Sequence, residues 1–140
     1  MKILIVDDDP VSRRILREIV ATMPGHQVTE APDGGVAWEL LDHPSRYFDV
    51  VFLDVSMPQT NGLQLLKRIR DSQHLFSTRV VMCTATSDRA TVSNAIQLGT
   101  RHFIVKPATA GLVQTKLRDI QAKIDAENMP RTKVSGVVTV

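Results

Sequence analysis

The chain has 140 residues, 43% of them hydrophobic, and 17 basic against 15 acidic side chains leave a net charge of +2. That is room for one domain with one core, with a charge balance too mild to point by itself to nucleic acid or a membrane. A single cysteine, Cys83, excludes an internal disulfide and fits a reducing compartment, and no apolar run is long enough to cross a bilayer.

Apolar β-branched runs alternate with segments of helical period. Residues 3–6 (ILIV) form a first strand that ends in Asp7, Asp8 and Asp9, too short an apolar stretch for a signal peptide. Asp9 and Pro10 make an N-cap and first-turn pair. Val11, Ile15, Ile19 and Met23 come next at four-residue spacing and predict the apolar face of a helix that Pro24-Gly25 ends. A second strand falls near 27–31, and Pro32-Asp33-Gly34 turns the chain. Val36, Ala37, Leu40 and Leu41 give the second helix its apolar side, with Trp38 at a core position.

Residues 50–53 are apolar throughout, as expected of a strand covered on both faces. A turn-rich loop over 54–62 leads to a third helix marked by Leu63, Leu66 and Ile69. The fourth strand, 79–83, precedes a helix over about 89–98 with Gly99 placed to cap it. A fifth strand covers 102–105, and Val113, Leu117, Ile120 and Ile124 mark the last helix. The helical pattern stops after Glu127, and Pro130 and Gly136 interrupt the last residues, so a domain is expected over 1–126 and a tail or linker over 127–140.

Five strand–helix units in succession imply an α/β fold with a parallel sheet, right-handed crossovers and helices on both faces. A flavodoxin-like strand order is the reading adopted, although periodicity alone does not separate it from Rossmann order.

Sites in open α/β sheets lie beyond the carboxyl ends of the strands. There the sequence places Asp7 and Asp8 after the first strand, Asp54 after the third, Thr84 after the fourth and Lys106 after the fifth. Singly, each has a plainer role: an N-cap for an aspartate, a backbone partner for Thr84, a solvated surface lysine at Lys106. Together they describe a chemistry. Clustered aspartates repel unless a cation joins them, and hard oxygen ligands suit Mg²⁺. Lys106 supplies a fixed positive charge, and the Thr84 hydroxyl can bind another phosphoryl oxygen. Asp54 can act as the nucleophile, because phosphoryl transfer is chiefly positioning and charge stabilisation.

The segments ILIVDDDP at 3–10, FLDVSMPQTNG at 52–62, CTA at 83–85 and FIVKP at 103–107 resemble, in that order, the response-regulator receiver family of two-component systems. The resemblance covers roughly residues 2–126 and implies a five-stranded parallel sheet in the order 2-1-3-4-5. It implies that Asp54 is the phosphoacceptor and that Mg²⁺, or Mn²⁺, is held by Asp8 directly, Asp7 through water, Asp54 and the Ser56 backbone carbonyl. It further implies that Thr84 and Lys106 bind the phosphoryl group, that Phe103 is the switch aromatic, and that the Lys106–Pro107 bond is cis. The partners so implied are a sensor histidine kinase or histidine phosphotransfer protein and a downstream effector or output domain, in the cytoplasm, with no membrane or direct nucleic-acid binding by this chain. The domain would be a phosphoacceptor that also hydrolyses its own aspartyl phosphate, not an enzyme in the usual sense. Two positions depart from the family pattern. Ala108 comes after Pro107 where Phe is frequent, and Arg101-His102 stands where the winged-helix subgroup tends to be acidic.

Other readings of the sequence stay open. Residues 127–140 hold no output domain, so the chain either acts as a lone receiver or is a fragment of a longer regulator with a DNA-binding or enzymatic output domain. An aspartyl-phosphate phosphatase of the haloacid dehalogenase type would need a second aspartate two residues after the nucleophile, where Ser56 stands. A dinucleotide-binding protein would need a glycine-rich loop after the first strand, where DDDP stands. Cys83 is expected to be a buried small hydrophobe, and His26, His43, His74 and His102 lack metal-ligand spacing. Arg13, Arg14 and Arg17, and likewise Lys67, Arg68 and Arg70, are expected to form solvated basic faces or partner surfaces.

Overall fold

The computed structural model describes residues 1–55, 61–85 and 89–129. In chain order the elements are β1 (Lys2–Val6), α1 (Pro10–Ala21), β2 (Gln27–Ala31), α2 (Gly34–Leu41), β3 (Val50–Asp54), α3 (Gly62–Asp71), β4 (Arg79–Thr84), α4 (Arg89–Gln97), β5 (His102–Val105) and α5 (Ala110–Glu127). The strands form one parallel sheet in the order β2-β1-β3-β4-β5, the order expected. Strand order reverses between β1 and β3, which opens a crevice at their carboxyl ends.

Alternate strand residues point to opposite faces. Leu4, Val6, Val51, Leu53, Val80 and Met82 pack under α2, α3 and α4 with Ala37, Leu41, Leu65, Leu66, Ile69 and Ala95. Ile3, Ile5, Val50, Phe52, Val81 and Cys83 pack under α1 and α5 with Leu16, Val20, Val113, Leu117 and Ile120. Both faces are covered, which is why β1, β3 and β4 read as unbroken apolar runs. Each buried Val, Leu, Ile, Phe or Met side chain among them contributes about 1.5–3 kcal/mol, more than an exposed ion pair does, so the sheet is the rigid frame of the site.

Helix starts obey the caps written in the sequence. Asp9 accepts from the Val11 N–H, Asp33 from Val36, Asn61 from Gln64 and Thr109 from Leu112. Gly99, just after α4, has φ +85, a conformation that favours glycine.

Several expected core faces are rotated. In α1 the residues turned to the core are Leu16 and Val20, whereas Val11 is 65% and Ile15 41% exposed. A four-residue repeat drifts around a 3.6-residue helix, so only its last members, Ile19 and Met23, reach the core edge. In α2, Ala37 and Leu41 are buried and Val36 is exposed. Trp38 is only partly buried at the core rim, with the Arg68 guanidinium 4.0 Å above its ring.

Two arginines expected to be solvated are built into the fold. Arg13 donates to the Asp7 carbonyl at 2.7 Å and to Glu30 at 3.2 Å. Arg70 donates to the backbone carbonyls of Leu98 (2.8 Å), Phe76 (3.0 Å) and Thr78 (2.6 Å).

Candidate functional site

β1, β3, β4 and β5 all end at one edge of the sheet, so the residues at their carboxyl ends meet there. Register pairs Val6 with Leu53, Asp54 with Cys83 and Thr84 with Val105. Asp7, just past β1, and Asp54 and Thr84, at the ends of β3 and β4, are buried, while Asp8 is exposed.

Carboxylate oxygens of Asp7, Asp8 and Asp54 lie within 4.8 Å of one another. The Lys106 ammonium bridges two of these groups, 2.9 Å from Asp7 Oδ2 and 3.3 Å from Asp54 Oδ1. Burial of Lys106 disfavours its charge, but the hydrogen bond to Asp7 and the charges of Asp54 and Asp7 outweigh it and hold the ammonium above the ordinary lysine pKa. Three carboxylates against one ammonium still leave an excess of negative charge. The donors are hard oxygens close enough to share one ion, a set that fits Mg²⁺ or Mn²⁺.

The two N-terminal aspartates are used differently. Asp7 Oδ1 accepts from the Asp9 N–H at 2.9 Å and Oδ2 from Lys106, so both oxygens are engaged. The Asp8 carboxylate makes no hydrogen bond within the described residues. Ser56, expected to present its carbonyl, lies outside the described residues.

Backbone ties fix the rest. The Val55 N–H donates to the Cys83 carbonyl at 3.0 Å, and the Gly62 N–H donates to the Val55 carbonyl at 2.9 Å. The Lys106 N–H donates to the Thr84 carbonyl at 2.7 Å, which locks the end of β5 to that of β4. The Lys106–Pro107 bond is cis. Phe103 pairs with Met82 and, partly buried, packs on the face covered by α2–α4, the face that Thr84 shares by strand alternation. Ala108 packs against the opposite cluster, under α1 and α5.

Sequence reading missed two contributors. Gly62 begins α3 against the Asp54 backbone, where a Cβ would stand 2.4 Å from the Asp54 carbonyl oxygen. Its place in the segment TNG looked like turn chemistry alone. Arg13 braces the Asp7 carbonyl from α1, and its only signal was its position on the first turns after the aspartates.

The family profile of the response regulator receiver domain matches residues 3–118. The chemotaxis protein CheY homolog of Campylobacter jejuni is 34% identical over 120 residues, 86% of this chain and 92% of that one. Chemotaxis protein CheY-3 of Vibrio cholerae is 39% identical over 120 residues, 86% of this chain and 91% of its own length. The solved structure of chemotaxis protein CheY4 of Vibrio cholerae superposes with a TM-score of 0.76 at 26% identity, covering 85% of this chain and 97% of that chain. With the sheet order, the match over residues 3–118 and these relatives, the chain belongs to the response regulator receiver family.

Proposed function

We propose that this domain is a phosphorylation-dependent switch in which Asp54 accepts a phosphoryl group from the phosphohistidine of a sensor kinase or phosphotransfer protein. The observation that carries this reading is the meeting of Asp7, Asp8 and Asp54 within 4.8 Å, with Lys106 bridging Asp7 and Asp54. An Asp54 carboxylate oxygen forms the new O–P bond as the P–N bond of the donor breaks, and the bonding pair leaves on the imidazole nitrogen. Lys106, already 3.3 Å from Asp54, stays beside the developing negative charge of the transferred group. The Thr84 hydroxyl binds a second oxygen.

Asp8, Asp54 and the Ser56 carbonyl would hold Mg²⁺ directly and Asp7 through water, a division supported by the engagement of both Asp7 oxygens. Bound there, the ion would offset the excess carboxylate charge and bind a phosphoryl oxygen. Hydrolysis of the aspartyl phosphate by water resets the domain. Movement of Thr84 and Phe103 carries the change to the surface of α4, β5 and α5, where an effector or output domain reads it. Incubation with acetyl phosphate and Mg²⁺ is expected to add one phosphoryl group by intact mass, and EDTA is expected to prevent it. Undiminished labelling in EDTA contradicts the reading.

A further inference from the structure

At the end of the sheet opposite the carboxylates, where β4 starts at Arg79 and β5 at His102, lies a cavity of about 320 Å³. Five strand steps of ~3.3 Å separate Arg79 from Thr84, so the cavity is about 16 Å from the acceptor site.

Its lining includes four cationic side chains, Arg70, Arg79, Arg101 and Lys123. Among the described residues only Arg79 is paired with a carboxylate, that of Glu127. Arg70 is half-buried, and its hydrogen bonds go to neutral carbonyls through Nε and Nη1. Burial lowers its pKa, the mark of a cation that lacks a counter-charge. The local field is positive enough to act on His102. Burial first, then Lys116 and Lys123, and more weakly Arg101, hold its imidazole below the ordinary pKa against the opposing Asp119.

A further feature points to a ligand. Phe76, 60% exposed, presents an apolar ring in the same lining, the kind of surface on which a base stacks. The volume lies at the small end of ligand sites, which favours a compact ligand over a peptide laid along a groove or sheet edge.

We propose that this cavity binds a mononucleotide, its phosphate held by Arg70, Arg101 and Lys123 and its base stacked on Phe76. The test is a titration of the full chain, monitored by amide shifts and calorimetry, with adenosine monophosphate, guanosine monophosphate, inorganic phosphate, adenosine and an acidic peptide as separate probes. A nucleotide is expected to saturate shifts at Phe76 and at residues 99–102, inorganic phosphate to reach the same amides more weakly, and adenosine not to saturate. Arg101 and Lys123 are exposed, so reversing both (R101E with K123E) is expected to leave the fold and acetyl-phosphate labelling intact and to weaken nucleotide binding on the order of tenfold. Phe76→Ala is expected to weaken nucleotide binding and leave phosphate binding unchanged. The proposal is overturned if neither nucleotide gives saturable shifts, if adenosine or phosphate binds as tightly as the nucleotide, if charge reversal has no effect, or if only the acidic peptide binds.

Discussion

Gly62 stands so close to Asp54 that a methyl group on it would lie 2.4 Å from the Asp54 carbonyl oxygen and 2.9 Å from the Val55 Cα. Both obstacles are backbone and neither can swing aside. The start of α3 therefore sets the path of the chain as it leaves Asp54.

Gly62→Ala is expected to lower stability by about 1–3 kcal/mol and to slow labelling of Asp54, because the forced shift falls on that residue's own backbone. Gly111, in α5, is the control. A Cβ there meets nothing within 4 Å, so Gly111→Ala is expected to gain roughly 0.5–1 kcal/mol from helix propensity. Urea unfolding and intact mass measure both. A Gly62→Ala protein as stable and as readily labelled as the wild type contradicts the steric account.

Arg70 ties α3 to the segments before β4 and after α4 through three carbonyls. Its removal leaves those acceptors without their charged donor, so Arg70→Ala is expected to cost about 2–4 kcal/mol. Arg14→Ala removes only an exposed ion pair with Glu18 and is expected to cost about 0–0.5 kcal/mol. Equal urea midpoints for the two variants would show that Arg70 is no more than a surface residue.

Burial pushes the Cys83 thiol up to about 12, with Lys106 lowering it and Asp7 and Asp54 raising it. A raised pKa in the fold means stability fully present below the unfolded value of 9.0 and lost as pH climbs toward the folded one. Lys106, also raised, acts in the same direction above 10.5. Stability is thus expected to fall across the alkaline range, and less steeply in Cys83→Ala. Below pH 9.0 the native thiol should resist a disulfide reagent that modifies the urea-unfolded chain at once. Rapid modification of native protein would contradict the burial.

The residues of the candidate site were legible because strand ends in a parallel sheet share an edge. Asp7, Asp54, Thr84 and Lys106 needed only the strand boundaries to be placed together. The strand order was not legible from periodicity and came from the resemblance. The α1 face was misread because Val11 and Ile15 form one of two overlapping apolar stripes, and only packing against α5 selects the stripe of Leu16 and Val20. Arg70 looked solvated because its partner Leu98 is 28 positions away. Gly62 hid in a turn signal because its necessity comes from a backbone it approaches in space.

Thr84 is the proposed link between acceptor and output surface. Phosphorylation of Asp54 would place new acceptor oxygens near its hydroxyl, and a contact worth ~1–3 kcal/mol moves a two-state population by about tenfold or more. Inward movement of Thr84 would then free space on the face it shares with Phe103. Thr84→Ala is expected to accept phosphate yet respond weakly in structure. Amide shifts with and without beryllofluoride, a mimic of the aspartyl phosphate, measure this. Shifts over residues 89–105 as large as those of the wild type would remove Thr84 from the mechanism.

The central claim is that Asp54 alone takes the phosphoryl group, and intact mass tests it most directly. Wild type and Asp54→Asn are incubated side by side with acetyl phosphate and Mg²⁺. The amide keeps the shape of the side chain and removes its nucleophilic oxygen. The account predicts one added phosphoryl group on the wild type and none on the variant, and full labelling of Asp54→Asn would contradict it.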